Sequence, residues 1–279
     1  MNDASSTPSR HVPAEPLSFP CGASHRPALL HRAERPSGHL VVNLHGAPGA
    51  PLGPVSPLAD ALAARGVDLL RFNYSGLWGN PGVFDLETAI EDVGCVLDFL
   101  TSDAAHAHAG VAPTHVHLVG FAFGAAVGLV RAREDDRVAG VAALSPCDHA
   151  VFARVLQDPR APGRPILDSM LDQLFGEKGA VEQDPDIFRE DLIEGAERYA
   201  LPAHAGDLLQ ARLLLLAGQD DLVCRLEEHV LPLYRELRRL GHPDLRLNVV
   251  AADHGLGAAR EDLYQRIADW VAAAKTRAS

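Results

Sequence analysis

Short apolar runs alternate with longer amphipathic ones from about residue 40 to residue 274, and few architectures accept that rhythm. Residues 40–44, 67–72, 115–119, 138–144, 212–216 and 245–250 are too short and too uniformly apolar for surface helices. They read as strands buried on both faces. Between them, residues 58–65, 86–100, 125–133, 231–240 and 261–274 carry apolar side chains at helical spacing. In 86–100 these are Ile90, Val93, Val96, Leu97 and Leu100. Ser56 is placed to cap the first helix, with Pro57 at its first position and Gly66 ending it. Strand and helix in alternation imply a mostly parallel central sheet with helices on both faces, an α/β fold. Residues 17–21 and 28–32 read as a leading pair of edge strands.

One stretch breaks the rhythm. Far more residues separate the strand at 138–144 from that at 212–216 than a crossover requires. It holds Pro159, Pro162, Pro165, an acidic run at 182–186, and weak helical patterns at 166–175 and 187–196. Residues of about 148–208 are therefore expected to form a helical lid over the C-terminal edge of the sheet, where ligands bind in such folds. Residues 1–14 are polar and proline-containing and are expected to be disordered, leaving 15–279 as one domain.

Composition excludes some functions. The 279 residues carry a formal net charge of −12, which argues against nucleic-acid binding. The polar start lacks a signal-peptide core, and the longest apolar stretch, 116–130, is interrupted by His117 and too short to span a bilayer. Four scattered cysteines, Cys21, Cys95, Cys147 and Cys224, show no C-x-x-C spacing and read as reduced, buried thiols. A cytoplasmic protein acting on a small molecule is expected, without membrane or nucleic-acid partners. A homodimer is compatible with the sequence. His106, His108, His115 and His117 cluster before the glycine-rich turn. They read as structural or solvent-facing residues, and neither metal nor cofactor is expected.

Four separated motifs carry chemistry. His45-Gly46-Ala47-Pro48-Gly49 follows the first parallel strand. Leu118-Val119-Gly120-Phe121-Ala122-Phe123-Gly124 reads as strand, sharp turn and helix. Gly218-Gln219-Asp220-Asp221 follows the strand at 212–216, and Ala252-Asp253-His254-Gly255 follows the last strand. In this order they resemble the α/β-hydrolase superfamily, and within it the dienelactone-hydrolase and prolyl-oligopeptidase-like branches. The resemblance covers the chain from about residue 40 to its end. It implies an α/β-hydrolase fold and an enzyme of the serine esterase, thioesterase or peptidase type acting on a carbonyl substrate.

Carried over residue by residue, the resemblance makes the second motif the nucleophile elbow G-x-S-x-G, with Ala122 where relatives have serine. Asp221 becomes the acid that orients His254, the general base, with neighbouring Asp220 the alternative. The backbone N–H groups of Ala47 and Phe123 become the oxyanion hole. His45, Tyr74 and Cys147 fall where a substrate pocket is expected. Cys147, Cys224 and Ser145 lie near the active face, but none occupies the elbow.

An alanine at the apex leaves no acyl-enzyme route. Three readings follow. The first is a hydrolase silenced by loss of its hydroxyl. The second is a lyase, cyclase, isomerase or cofactor-free oxygenase that uses the His254–Asp221 dyad and the oxyanion hole directly. The third is a catalytically dead ligand-binding protein.

Overall fold

The computed structural model describes residues 11–176 and 179–274. The first ten residues of the expected leader lie outside the described set. His11 and Val12 are already engaged, with the Val12 N–H donating to Asp60 Oδ1 at 2.8 Å and the His11 ring 2.7 Å from Asp60 Oδ2.

Eight strands form one sheet in the order β1-β2-β4-β3-β5-β6-β7-β8. β1 (Ala14–Cys21) and β2 (Ser24–His31) form the leading antiparallel hairpin. β3 (His39–Leu44), β4 (Asp68–Phe72), β5 (His115–Phe121), β6 (Val138–Leu144), β7 (Arg212–Gly218) and β8 (Leu245–Val250) are parallel to one another. β2 joins this parallel set antiparallel to β4. The central strands β3, β5, β6 and β7 are buried nearly throughout, as uniformly apolar runs require.

Helices cover both faces. α1 (Pro57–Ala63) and α10 (Arg260–Ala272) pack on one side over Val41, Leu69, Val119, Leu214 and Leu216. α2 (Leu86–Leu100), α4 (Phe123–Glu134) and α9 (Leu231–Arg239) close the other side over the larger core. A short helix, α3 (Asp103–Ala109), follows α2 and ends at a left-handed Gly110. The Ser56 hydroxyl accepts the Ala59 N–H, making it the N-cap of α1. Beneath the loop after β4, buried Asp92 of α2 accepts the Ser75 N–H and hydroxyl at 2.6 and 2.8 Å. Arg26 donates to the same hydroxyl at 2.5 Å. That network fixes where Tyr74 can go.

Between β6 and β7 the chain forms α5 (His149–Gln157), α6 (Arg164–Phe175), α7 (Pro185–Glu194) and α8 (Ala196–Tyr199). These helices stand over the C-terminal ends of the strands. Gln183 ties them down by bonding both backbone groups of Phe84, at 2.8 and 2.9 Å.

The cysteines correct the sequence reading. Cys21 of β1 pairs with Cys95 of α2, and Cys147 with Cys224, so none is a free thiol. Pairs 74 and 77 residues apart have no local spacing signal, which is why the sequence showed none. The pairing also removes the reduced thiols on which the cytoplasmic expectation rested. Among the described residues no helix is long and apolar enough to cross a membrane.

Candidate active site

β5 ends at Phe121 and α4 begins at Phe123, so Ala122 alone makes the turn. It sits at φ 49°, ψ −109°, a conformation an L-residue adopts only under constraint. The constraint is tight packing. A Cβ on Gly120 would fall 2.4 Å from the Gly124 carbonyl oxygen, and one on Gly124 would fall 2.2 Å from that of Leu44. Only glycines let strand, turn and helix approach so closely. The Ala122 N–H donates to Leu144 O at 2.8 Å, anchoring the apex to β6.

The loops after β7 and β8 bring an acid and a base to this apex. Asp221 is buried. Its Oδ1 accepts the N–H groups of Val223 and Cys224, each at 2.8 Å. Its Oδ2 lies 2.8 Å from His254 Nδ1. Burial acts to raise its pKa, but the hydrogen bond and charge of His254, with the two N–H groups, hold it below the ordinary carboxylate value. An ionised Asp221 requires His254 Nδ1 to donate, which leaves the lone pair on Nε2. Asp220 is exposed and contributes only its N–H, to Ala252 O at 3.0 Å. The His254 ring lies 5.2 Å from that of Phe121, the residue before the apex. The buried Ser145 hydroxyl donates to His254 O at 3.1 Å, so this serine supports the histidine loop.

Ala47, Ala122, Phe123, Cys147 and His254 line one apolar cavity of about 130 Å³. The inserted helices roof it: His149 and Phe152 from α5, Leu167, Met170, Leu171 and Leu174 from α6, and Phe188 and Leu192 from α7. The Phe123 N–H belongs to the first turn of α4, where backbone donors have no intrahelical acceptor. Ala47 and Phe123 line the same cavity.

Two expected pocket residues are placed elsewhere. The Tyr74 ring packs 5.6 Å from that of Phe123 and 4.6 Å from that of His45, wholly buried behind the cavity wall. His45 turns back on its own loop, with Nδ1 donating to Gly46 O at 2.7 Å. Neither side chain lines the apolar cavity. Cys147 does line it, but as half of the disulfide to Cys224. That bridge joins the loop after β6 to the loop carrying Asp221. Among the described residues no group of three or more His, Cys, Asp or Glu could hold a metal ion. His117 instead meets His39 at 3.0 Å beneath the sheet, and the His108 side chain lies outside the described set.

His149 is a residue the sequence reading missed. It is buried in the cavity wall with its ring 5.6 Å from that of Phe123, and its Nδ1 has no hydrogen-bond partner. Burial, with His229 adding repulsion, pushes its pKa down to about 3. Its position two residues past Cys147 was the only available signal.

No protein-family model and no curated protein sequence matches the chain. Solved structures do. An acylaminoacyl peptidase of Pyrococcus horikoshii matches with a TM-score of 0.68 at 13% identity, over 97% of this chain and 44% of the peptidase. This chain thus spans less than half of that protein. An esterase of Pyrococcus furiosus matches with a TM-score of 0.65 at 16% identity, over 92% of this chain and 90% of the esterase. The chain has the α/β-hydrolase fold. A monoacylglycerol lipase of Paleococcus ferrophilus has the same fold, with a TM-score of 0.59 at 20% identity over 88% of this chain and 98% of the lipase. On that fold Ala122 stands at the bend between β5 and α4, with Asp221 and His254 after β7 and β8.

Proposed function

We propose that this site is built for acyl transfer from small esters, thioesters or amides, with a methyl group in place of the nucleophilic hydroxyl. The observation that carries the reading is His254, hydrogen-bonded to the buried Asp221 and lining the same cavity as the strained Ala122. In this reading His254 is the base that would activate a hydroxyl at residue 122, Asp221 holds its tautomer, and the Ala47 and Phe123 N–H groups receive the oxyanion. The acyl group lies under α6 and α7. A cavity of comparable size lined by Leu, Ile and Phe holds a benzene-sized guest, about six carbons, so short acyl chains fit best.

A second reading has its own support. The dyad keeps its geometry without a hydroxyl to activate, as a general base acting directly on water or on an acidic C–H would require. One substitution separates the two. If Ala122→Ser gains p-nitrophenyl butyrate hydrolysis and labels with a fluorophosphonate, the acyl-transfer reading stands. If a folded Ala122→Ser protein does neither, it fails.

A further inference from the structure

Behind the oxyanion loop lies a second cavity, larger than the apolar one, of about 440 Å³. It sits on the α1/α10 side of the sheet and shares Ala47 and Phe121 with the apolar cavity. Its chemistry is opposite. Arg71 from β4, Arg260 and Tyr264 from α10, Asn73 and His45 all line it, and no Asp or Glu does. In a chain with a net charge of −12, two arginines in a cavity wall without a carboxylate stand out.

Neither arginine has a carboxylate partner among the described residues. Arg71 spends Nη1 on the carbonyls of Gly53 and Val55, at 2.9 and 3.4 Å, and on His31 Nε2 at 3.4 Å. Its remaining N–H groups have no bonded acceptor among the described residues. Arg260 donates to Gly255 O and lies over the Phe121 ring, 5.3 Å from its centroid. Arg71, Arg260 and Tyr264 line the same cavity. Two polar atoms in the wall are also unsatisfied. Asn73 is 6% exposed and its Oδ1 has no partner. His45 Nε2 is buried without a partner, and because Nδ1 donates to Gly46 O it presents a lone pair. A buried polar group left unmatched is costly, and a ligand that matches it recovers that cost.

We propose that this cavity binds a small organic anion, a carboxylate or phosphate that also carries hydroxyl groups. Arg71 and Arg260 hold the charge in the forked geometry guanidinium groups offer to such oxygens. The Tyr264 hydroxyl adds a donor. Asn73 Oδ1 and His45 Nε2 accept from the ligand's hydroxyls. The shared wall at Ala47 and Phe121 puts this anion beside the reaction centre, so it arrives either on the leaving-group side of the substrate or as a separate ligand.

Calorimetric titration of the unmodified protein with inorganic phosphate and with glycerol phosphate tests the site, independently of any hydrolytic activity. Saturable binding is expected, tighter for glycerol phosphate, and at least tenfold weaker in Arg260→Gln. Arg71 also braces the loop at Gly53. Its variant Arg71→Gln is therefore read only if its melting temperature is retained, and Tyr264→Phe provides a third probe. No saturable binding of either anion, or binding unchanged in Arg260→Gln, overturns the proposal. Equal affinity for the two anions overturns the hydroxyl contacts. The source of the anion is read in an Ala122→Ser background, from the kcat/KM ratio of a 3-carboxyphenyl ester to the matching phenyl ester. A ratio that drops at least tenfold in Arg260→Gln assigns the anion to the substrate. A constant ratio with lost phosphate binding assigns it to a separate ligand and leaves the site standing.

Discussion

Restoring one oxygen atom should restore a reaction. Ala122→Ser adds a hydroxyl at the apex of the turn, in the cavity that His254 also lines. The backbone is already in the required conformation at φ 49°, and serine strains it no more than alanine does. The stability change should stay within about 1 kcal/mol. In a serine protease, removal of the nucleophile costs about 2 × 10⁶ in kcat, and about 10³–10⁴ over water survives from the oxyanion hole and binding. Re-adding the nucleophile to a site not tuned for it should recover at least about 10³-fold. The upper limit is about 10⁶-fold. At 1.36 kcal/mol per tenfold this is about 4–8 kcal/mol of barrier. The assay is p-nitrophenyl butyrate hydrolysis at neutral pH, with fluorophosphonate labelling located by peptide mass. His254→Ala in the same background should return the rate to that of the unsubstituted protein. Asp221→Asn should remove most of the gained rate, by up to about 10⁴-fold, because the imidazole then loses its enforced tautomer. An Ala122→Ser protein with an unchanged melting temperature, no labelling and no rate above the unsubstituted form would refute the reasoning.

Three further outcomes are expected. His117, His149 and His229 are buried and pushed down to about 3, 3 and 4, so below pH 6.5 the unfolded chain binds protons that the native chain refuses. Asp148, pushed up to about 6 by burial, opposes this with a single proton taken up by the native state. With His45 also pushed down to about 4 by burial, four histidines act against Asp148 and the smaller upward shifts of Asp68, Asp92 and Asp191, which predicts a melting temperature that falls between pH 6.5 and pH 4.5; a flat profile would contradict it. The Cys147–Cys224 bridge closes a loop of 77 residues, so the double serine variant should lose about 2–4 kcal/mol in urea unfolding. In the Ala122→Ser background, p-nitrophenyl esters should be cleaved best at four to six acyl carbons, with Leu171→Ala moving the optimum to longer chains. An optimum at ten or more carbons in the parent would exclude the cavity under α6 and α7 as the acyl site.

The alternation of strands and helices was legible because its signal is local. Each buried strand is a short apolar run, and each helix repeats its apolar face every three or four residues. The bend at Ala122 was equally legible, since Gly120 and Gly124 are dictated by the close approach of backbone on either side. Asp221 could be separated from Asp220 only in space, because both have the composition of a turn acid. His45 and Tyr74 do not line the apolar cavity, for a related reason. Each follows a strand on the correct edge of the sheet, but the Nδ1 bond to Gly46 O and the packing against Phe123 turn the two rings away from the apolar cavity. The disulfides, His149 in the cavity wall, and the presence of Arg71 and Arg260 in one cavity depend on residues far apart in sequence. No periodicity encodes them.

The strained apex has two consequences. It puts residue 122 in the wall of the cavity that His254 also lines, and it starts α4 at Phe123, whose first-turn N–H groups have no intrahelical acceptor. Loss of Oγ alters neither. A non-glycine residue held at positive φ costs about 1–3 kcal/mol, and glycine at 122 would relieve that strain. An alanine there keeps both the strain and the first-turn donors. The surrounding packing enforces this. Gly124 is pressed against the Leu44 carbonyl, and the Ala122 N–H is tied to Leu144, so β3, β6 and α4 together hold the turn whatever side chain it carries. In the proposed reading the donors, the base and the acid are therefore held by the fold's framework, whereas the nucleophile is a single replaceable atom. That asymmetry is why the two readings of the site differ by one hydroxyl and share every other group.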